Sequence, residues 1–257
     1  MRDPGLDQAI RAAGGVGSLA KKIGISQPSV SNWSRIPAER VLTVEAVTGV
    51  TRDVLRPDLF GEVPGGNVDE VDTARAQEYA LLALTLSRAP DQALLDRLSG
   101  LRGDATPLGV AHVELAEAAS RTTAERVERE YFNLFIGLGR GELLPYASYY
   151  LTGFLHERPL ARLREHLARL GIERAPGQAE PEDHAAILCE IMAGLASRRF
   201  PAPAGADSEL FAQHLAPWIG RFFADLEHAE AADFYRRIGT VGRVFMDVET
   251  EAFALAS

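Results

Sequence analysis

The sequence predicts an all-α protein built as two units. Three observations carry that expectation. From Thr73 onward, apolar residues recur at intervals of three and four, the spacing of one helical face, as in Phe234, Ile238, Val241, Phe245 and Val248. No segment alternates apolar with polar residues in the manner of a half-buried strand. Residues 61–67 gather Gly, Pro and polar side chains without periodicity, the composition of a connector. The expected boundaries are therefore a first unit at residues 1–60, a linker at 61–72 and a second unit at 73–257. With 257 residues, 46% of them hydrophobic, the chain is long enough for a substantial core and a smaller second one. The absence of an internal period argues against a solenoid.

Charge divides along the same boundary. Residues 1–60 carry 8 Lys/Arg against 6 Asp/Glu, a net of +2, whereas residues 61–257 carry 19 against 30, a net of −11 within the chain's total of −9. Any contact with nucleic acid is expected in the first, because the second repels phosphate. The single cysteine, Cys189, allows no internal disulfide and fits a reducing compartment. The most apolar run, Tyr79 to Leu86, is too short to cross a bilayer, and no apolar signal region follows Met1. A cytoplasmic protein without a membrane partner is the expectation.

In the first unit, residues 6–13 and 17–23 read as short helices, followed by a helix from Gln27 to about Ser34, another from Pro37 to Gly49, and a terminal segment over 51–60. The second and third of these have the arrangement of a helix-turn-helix. Ala20 is small where two helices cross, Gly24 permits the turn, Ile25 plugs the core, Ser26 caps the next helix and Pro28 fits its first turn. Val30 and Trp33 then face inward. Gln27, Ser29, Ser31 and Asn32 are left outward to reach base edges, with Lys21, Lys22 and Arg35 for phosphates. With Thr48-Gly49-Val50 and Leu55-Arg56-Pro57-Asp58, residues 6–60 resemble the Cro-like, YdaS-type helix-turn-helix family. That resemblance implies a compact fold of the lambda-repressor type whose partner is double-stranded DNA. One such module reads one half-site, so a homodimer is expected.

In the second unit, Thr122-x-x-Glu125 reads as a capping box for a helix through Leu134, and Pro159 suits the start of one ending near Leu170. Residues 135–146, bearing Gly137, Gly139 and Gly141, are the irregular exception, and a loop of this length inside a helical domain is often functional. Aromatic residues flank it: Tyr131 and Phe132 before, Tyr149, Tyr150 and Phe154 after. Further on, Glu180-Pro181-Glu182-Asp183-His184 reads as a helix entry. Pro181 fits the first turn, two acids meet the positive end of the dipole, and Ile187, Leu188, Ile191, Met192 and Leu195 form the buried stripe. Asp183 and His184 are expected near the mouth of a site.

Several signals fail on geometry. The glycine triplet follows a helix rather than a strand, so it is no phosphate cradle. Ser197-Arg198-Arg199-Phe200 lies deep in the chain with no apolar run after it. His112, His156, His166, His214 and His228 lack metal-ligand spacing, so neither a metal nor a cofactor is expected. Asp183 and His184 have no evident nucleophile between them, so the chain is expected not to be an enzyme.

Taken in order, Tyr131-Phe132-x-Leu134-Phe135-x-Gly137, Pro145-Tyr146-x-Ser148-x-Tyr150, Glu180-Pro181-x-Asp183-His184 with Met192, His214-Leu215-x-x-Trp218 and Phe234-Tyr235 resemble the TorD-like family of molybdoenzyme chaperones. Leu138 and Cys189 depart from the family pattern. The resemblance implies an all-helical chaperone that binds the twin-arginine signal peptide of a molybdopterin-dependent oxidoreductase and assists cofactor insertion before export. A peptide with paired cations and an apolar stretch needs carboxylates beside an apolar groove. Glu142, Glu182 and Asp183 are candidates for the first. Pro145, Tyr146, Ser148, Tyr150, His184 and Met192 complete the expected peptide site. The alternative is a one-component transcriptional regulator whose helical domain senses a small ligand.

Overall fold

A computed structural model describes residues 3–56, 70–175 and 177–255. The chain separates into two compact units, Met1–Gly66 and Asn67–Ser257. The regular elements among the described residues are helical, and one isolated antiparallel bridge joins Tyr146 to His184.

The first unit contains α1 (Pro4–Ala13), α2 (Val16–Lys22), α3 (Gln27–Ser31), a 3-10 turn (Ala38–Arg40), α4 (Val41–Thr48) and α5 (Arg52–Leu55). Asp3 caps α1 by accepting from Gly5 N at 2.9 Å, and Ser26 caps α3 by accepting from Ser29 N at 3.3 Å. Leu6, Leu19, Ala20, Val30, Ile36, Val44 and Leu55 close a small core. Gly5 lies against the carbonyls of Val54 and Leu55, where a Cβ would collide. Two boundaries differ from expectation. α3 ends at Ser31 rather than near Ser34, because Trp33 N turns back to Val30 O and Ser34 O accepts from Asp3 N at 2.8 Å. The segment after Pro37 begins as a 3-10 turn rather than as α-helix. Of the expected segment 51–60, residues 57–60 lie outside the described residues, as do residues 61–69 of the expected linker.

The second unit runs α6 (Glu70–Ser87), α7 (Gln92–Leu98), α8 (Pro107–Ser120), α9 (Ala124–Tyr131) continuing into a π turn (Phe132–Ile136), α10 (Ala147–Thr152), α11 (Arg158–Arg169), α12 (Ala185–Ala196), α13 (Ala206–Leu210) continuing into a second π turn (Phe211–Leu215), α14 (Ile219–His228) and α15 (Phe234–Leu255). Residues 70–72, expected in the linker, are already helical. Ten of the twelve residues of α12 are buried, so it is apolar on nearly every side and serves as the central helix, packed most closely on α6. α15 pairs with α14 and crosses α8. Among the described residues, no helix is long and apolar enough to cross a membrane.

Both ends of α9 differ from expectation. The N-cap of α9 is Thr123 rather than Thr122, without a side-chain cap bond, and the α-helix stops at Tyr131. The following π turn widens the helix so that Gly137 N reaches Phe132 O at 2.7 Å. In α15, Phe234, Ile238, Val241 and Phe245 are buried as expected, but Val248 is exposed and Glu249 is buried instead. A stripe that advances by four from Phe245 arrives at Glu249. Its carboxylate is accommodated by the Arg75 fork at 2.8 and 2.9 Å and by the Tyr79 hydroxyl at 2.9 Å.

Candidate functional site

The glycine-bearing bend leaves α9 and is folded back against it. Gly137, at φ 63°, sits where a Cβ would strike the Arg140 carbonyl, and a Cβ on Gly141 would strike the backbone of Leu134 and Phe135. Glu142 N donates to Asn133 O at 3.1 Å and Leu143 N to Leu134 O at 2.8 Å, so the return strand of the bend is fixed. This delivers residues 145–148 to the turn preceding α12. Ala185 N donates to Pro145 O at 2.8 Å, and Ala147 N to Asp183 O at 3.0 Å, on either side of the Tyr146–His184 bridge. Residues 36 to 40 apart in sequence are thereby joined as a short ladder.

That ladder overturns the expected helix entry. α12 begins at Ala185, its N-cap is His184, and Pro181, Glu182 and Asp183 form a turn before it rather than its first turn. The cause is that the 183–185 backbone is already committed to pairing with 145–147, which holds His184 extended at φ −68° and ψ 137°. His184 Nδ1 accepts from Ala186 N at 3.1 Å, which leaves the ring proton on Nε2. Burial holds this imidazole down, to about 4, against the pull of Glu180 and Asp183. The Tyr146 ring meets it edge-on at 5.0 Å.

Asp183 is 0% exposed rather than lining a mouth. Its Oδ2 accepts from Ser148 N at 2.8 Å and from Ser148 Oγ at 2.5 Å, and Oδ1 is buried without a hydrogen-bond partner among the described residues. Pro145 and Ser148 are buried with it. Met192, expected as adaptable lining, is 0% exposed inside the core. The series of α12 turns it inward because both flanks of that helix are covered. Glu142 is not an open ligand either. Its carboxylate accepts from Glu230 N at 2.6 Å and Ala231 N at 3.0 Å, holding the turn that leads into α15.

The accessible part of the site is the rim of the 178–182 turn. The Tyr146 hydroxyl donates to Glu180 Oε2 at 2.6 Å, and burial together with that bond raises the phenol well above its usual range. Glu182 meets Arg164 at 2.8 Å. Partial burial pushes the Glu182 carboxyl up, but the Arg164 hydrogen bond and charge outweigh it and hold the carboxyl below its usual value. The Arg174 guanidinium donates to the carbonyls of Gln178, Ala179 and Glu180, the last two at 2.8 and 3.2 Å. Two guanidinium groups of the chain's own are thus taken up by one turn. Beyond Tyr146, the segment of α10 and its following turn exposes Leu151, Leu155 and Phe154, the last 70% exposed. Tyr150 is half-buried behind this surface: its hydroxyl donates to Asp225 at 2.9 Å, and its ring lies against Trp218 and under the Arg221 guanidinium.

In the first unit, Lys21, Lys22, Gln27, Ser29, Ser31, Asn32 and Arg35 are all exposed. Ser29 Oγ is 2.7 Å from Ser26 Oγ, so the cap and the outward face share a hydroxyl pair. Trp33 is half-buried against the core that Val30 enters fully.

Sequence reasoning missed Glu130, whose carboxylate takes the amides of Asp233, Phe234 and Tyr235 at 2.8, 3.1 and 2.6 Å and so caps α15 from another helix. It also missed Arg164, Arg174, and the contact of His166 with His214. No local signal marks any of them, since each partner is distant in sequence or belongs to an irregular turn.

Residues 101–224 match the family model described as "Nitrate reductase delta subunit", and residues 6–64 the one described as "Bacterial toxin YdaS". The "Chaperone protein TorD" of Vibrio cholerae serotype O1 (strain ATCC 39315) is 29% identical over 163 residues, which is 58% of this chain and 74% of that protein. The "Chaperone protein TorD" of Shewanella loihica is 25% identical over 209 residues, 77% of this chain and 89% of that protein. A Haemophilus influenzae protein named "Probable Tat proofreading chaperone DmsD" is 26% identical over 129 residues, 49% of this chain and 62% of that one.

Proposed function

We propose, from the premise that the second unit resembles the TorD-like molybdoenzyme chaperones and the first the YdaS-type helix-turn-helix proteins, that the chain is a cytoplasmic maturation chaperone with a DNA-reading unit attached. The second unit binds the twin-arginine signal peptide of a molybdopterin-dependent oxidoreductase and assists its cofactor insertion before export. This is binding work, and no catalytic step is assigned to it.

The observation that carries this reading is the chemistry of the 178–182 turn. It already accepts two guanidiniums, Arg164 on Glu182 and Arg174 on three carbonyls, immediately before the ladder that fixes Tyr146. Leu151, Phe154 and Leu155 offer apolar contact on the segment that follows. Paired arginines of a client would exchange with the internal ones, and the apolar stretch would lie along α10. Asp183, His184, Pro145 and Ser148 hold the two segments in register and act as positioning residues.

Titration of the full chain with a fluorescent peptide carrying Arg-Arg and an apolar stretch tests this. A Lys-Lys version should bind at least tenfold more weakly, since an ammonium cannot reproduce the planar fork. Glu182→Gln should weaken the Arg-Arg peptide severalfold. Equal affinity for both peptides would remove the assignment.

For the first unit, α3 is proposed to enter the major groove of a duplex, presenting Gln27, Ser29, Ser31 and Asn32 to base edges while Lys21, Lys22 and Arg35 meet phosphates. A dimer would read two half-sites. Coupling to transcription requires that peptide binding favour one DNA-binding state over another. Anisotropy of a labelled duplex across a salt series reports the phosphate contacts, and Lys22→Ala should reduce the slope of log K against log salt by about 1. A slope near zero for the unaltered chain would make this unit a protein-contact module instead.

A further inference from the structure

His166 and His214 take no part in the rim described above. They come from α11 and the second π turn, they are 2% and 8% exposed, and His166 Nδ1 lies 3.0 Å from His214 Nε2. A single proton occupies that contact. The His214 carbonyl also accepts from the Trp218 indole N–H at 2.7 Å, so the pair is built into the fold rather than placed at its edge.

His214 opens on a cavity of about 350 Å³. Its apolar lining is Ala147, Leu151, Pro159 and Leu163. Its polar lining is Arg162 and Arg169, seven residues apart and so on one face of α11, with Glu165 and Gln213. Arg162 and Arg169 have no carboxylate partner among the described residues, whereas Glu182 and Glu227 are each taken by an arginine. A cavity of this size lined by apolar side chains and a few polar groups is the usual form of a small-molecule site.

We propose that this cavity binds a small amphipathic oxyanion, a molecule with a carboxylate or phosphate head held by Arg162 and Arg169 and an apolar body laid against Leu151, Pro159 and Leu163. Of the buried His pair, His214 lines the cavity and His166 lies behind it, 3.0 Å away. Burial lowers both imidazoles, His214 to about 4, and the Arg169 charge lowers them further while Glu209, 3.9 Å from His166 Nε2, raises them. The pair is therefore neutral near pH 7. A bound oxyanion stabilises the protonated form, so binding takes up a proton and tightens as pH falls. The charged groups facing the pair and the cavity are Arg162, Glu165 and Arg169 of α11 and Glu209 of α13. Among the described residues, α10 contributes Ala147 and Leu151 to the lining, neither of them titratable.

The test is calorimetric titration of the full chain with benzoate and phenyl phosphate, against acetate and inorganic phosphate for the head alone and benzyl alcohol for the body alone. At least one aromatic oxyanion should bind at least tenfold more tightly than its head and than benzyl alcohol. Arg162→Ala and Arg169→Ala, both changes at exposed positions, should each weaken it about tenfold, and Glu165→Gln should tighten it severalfold. Benzoate, which stays ionised from pH 8 to 6, should bind more tightly at pH 6, and His214→Gln should abolish that trend. Failure of both aromatic oxyanions to exceed their heads and benzyl alcohol, or affinities indifferent to both arginines, would overturn the proposal. A gain at pH 6 that survives His214→Gln would remove the histidine pair from it.

Discussion

Asp183 joins the two segments of the candidate site from inside. One carboxylate oxygen satisfies both the amide and the hydroxyl of Ser148, so removing it leaves two buried donors unpaired. Asp183→Ala should therefore cost on the order of 3 kcal/mol in urea denaturation, with Asp183→Asn milder because its amide oxygen still accepts. His184 gives a second prediction at this scale. Its folded value of about 4 lies below the usual 6.5, so between those values the unfolded chain binds the extra proton. Stability attributable to this residue is present above about pH 6.5 and is lost as pH falls toward 4, a change of at most about 3 kcal/mol. His184→Asn keeps an acceptor for Ala186 N and does not titrate, so the denaturation midpoint of that variant should decline less steeply over the same window. The segment 180–184 stood out in the sequence for its residue types. Its geometry did not, because Ser148 lies 35 residues from the Asp183 carboxylate it meets and nothing local announces that the 183–185 backbone pairs with 145–147.

Among the elements, the contrast between α3 and α15 separates local from distant control. The helix-turn-helix could be placed from sequence because each of its determinants acts within a few residues: Ser26 caps its own helix, Gly24 turns at φ 72°, and Val30 faces in. The start of α15 has no such signature. Three of its first amides are taken by Glu130, more than 100 residues earlier, and the turn before it by Glu142. Burial raises the Glu130 carboxyl even against those three N–H donors, so it is held in place at some electrostatic cost. Glu130→Ala should destabilise the second unit by about 3 kcal/mol, since three amides of which two are buried lose their acceptor. A thermal shift no larger than that of a surface substitution such as Glu117→Ala would contradict this. The same distance rule explains Val248. Helical periodicity fixed the stripe to within one residue, and the choice of Glu249 was made by Arg75 and Tyr79 on another helix.

Across the whole molecule, the chain holds two hydrophobic clusters with no residue in common, one around Leu6, Leu19 and Val30 and the other around α12. Leu19→Ala, at a fully buried position, should cost about 2–5 kcal/mol within the first unit and leave the calorimetric transition of the second unchanged. A shift of both transitions would mean that they fold as one. The sequence by itself determined the helical class, the presence of a helix-turn-helix in the first unit and the family likeness of each unit. Those properties follow from periodicity, composition and ordered motifs, all of which act along the chain. Only the tertiary structure decided which candidate residues are open: Asp183, Ser148 and Met192 are sealed, Glu142 is occupied, and residues 178–180 are exposed beside them. Burial and hydrogen-bond partnership depend on what arrives from elsewhere in the chain, and spacing in sequence carries no record of that.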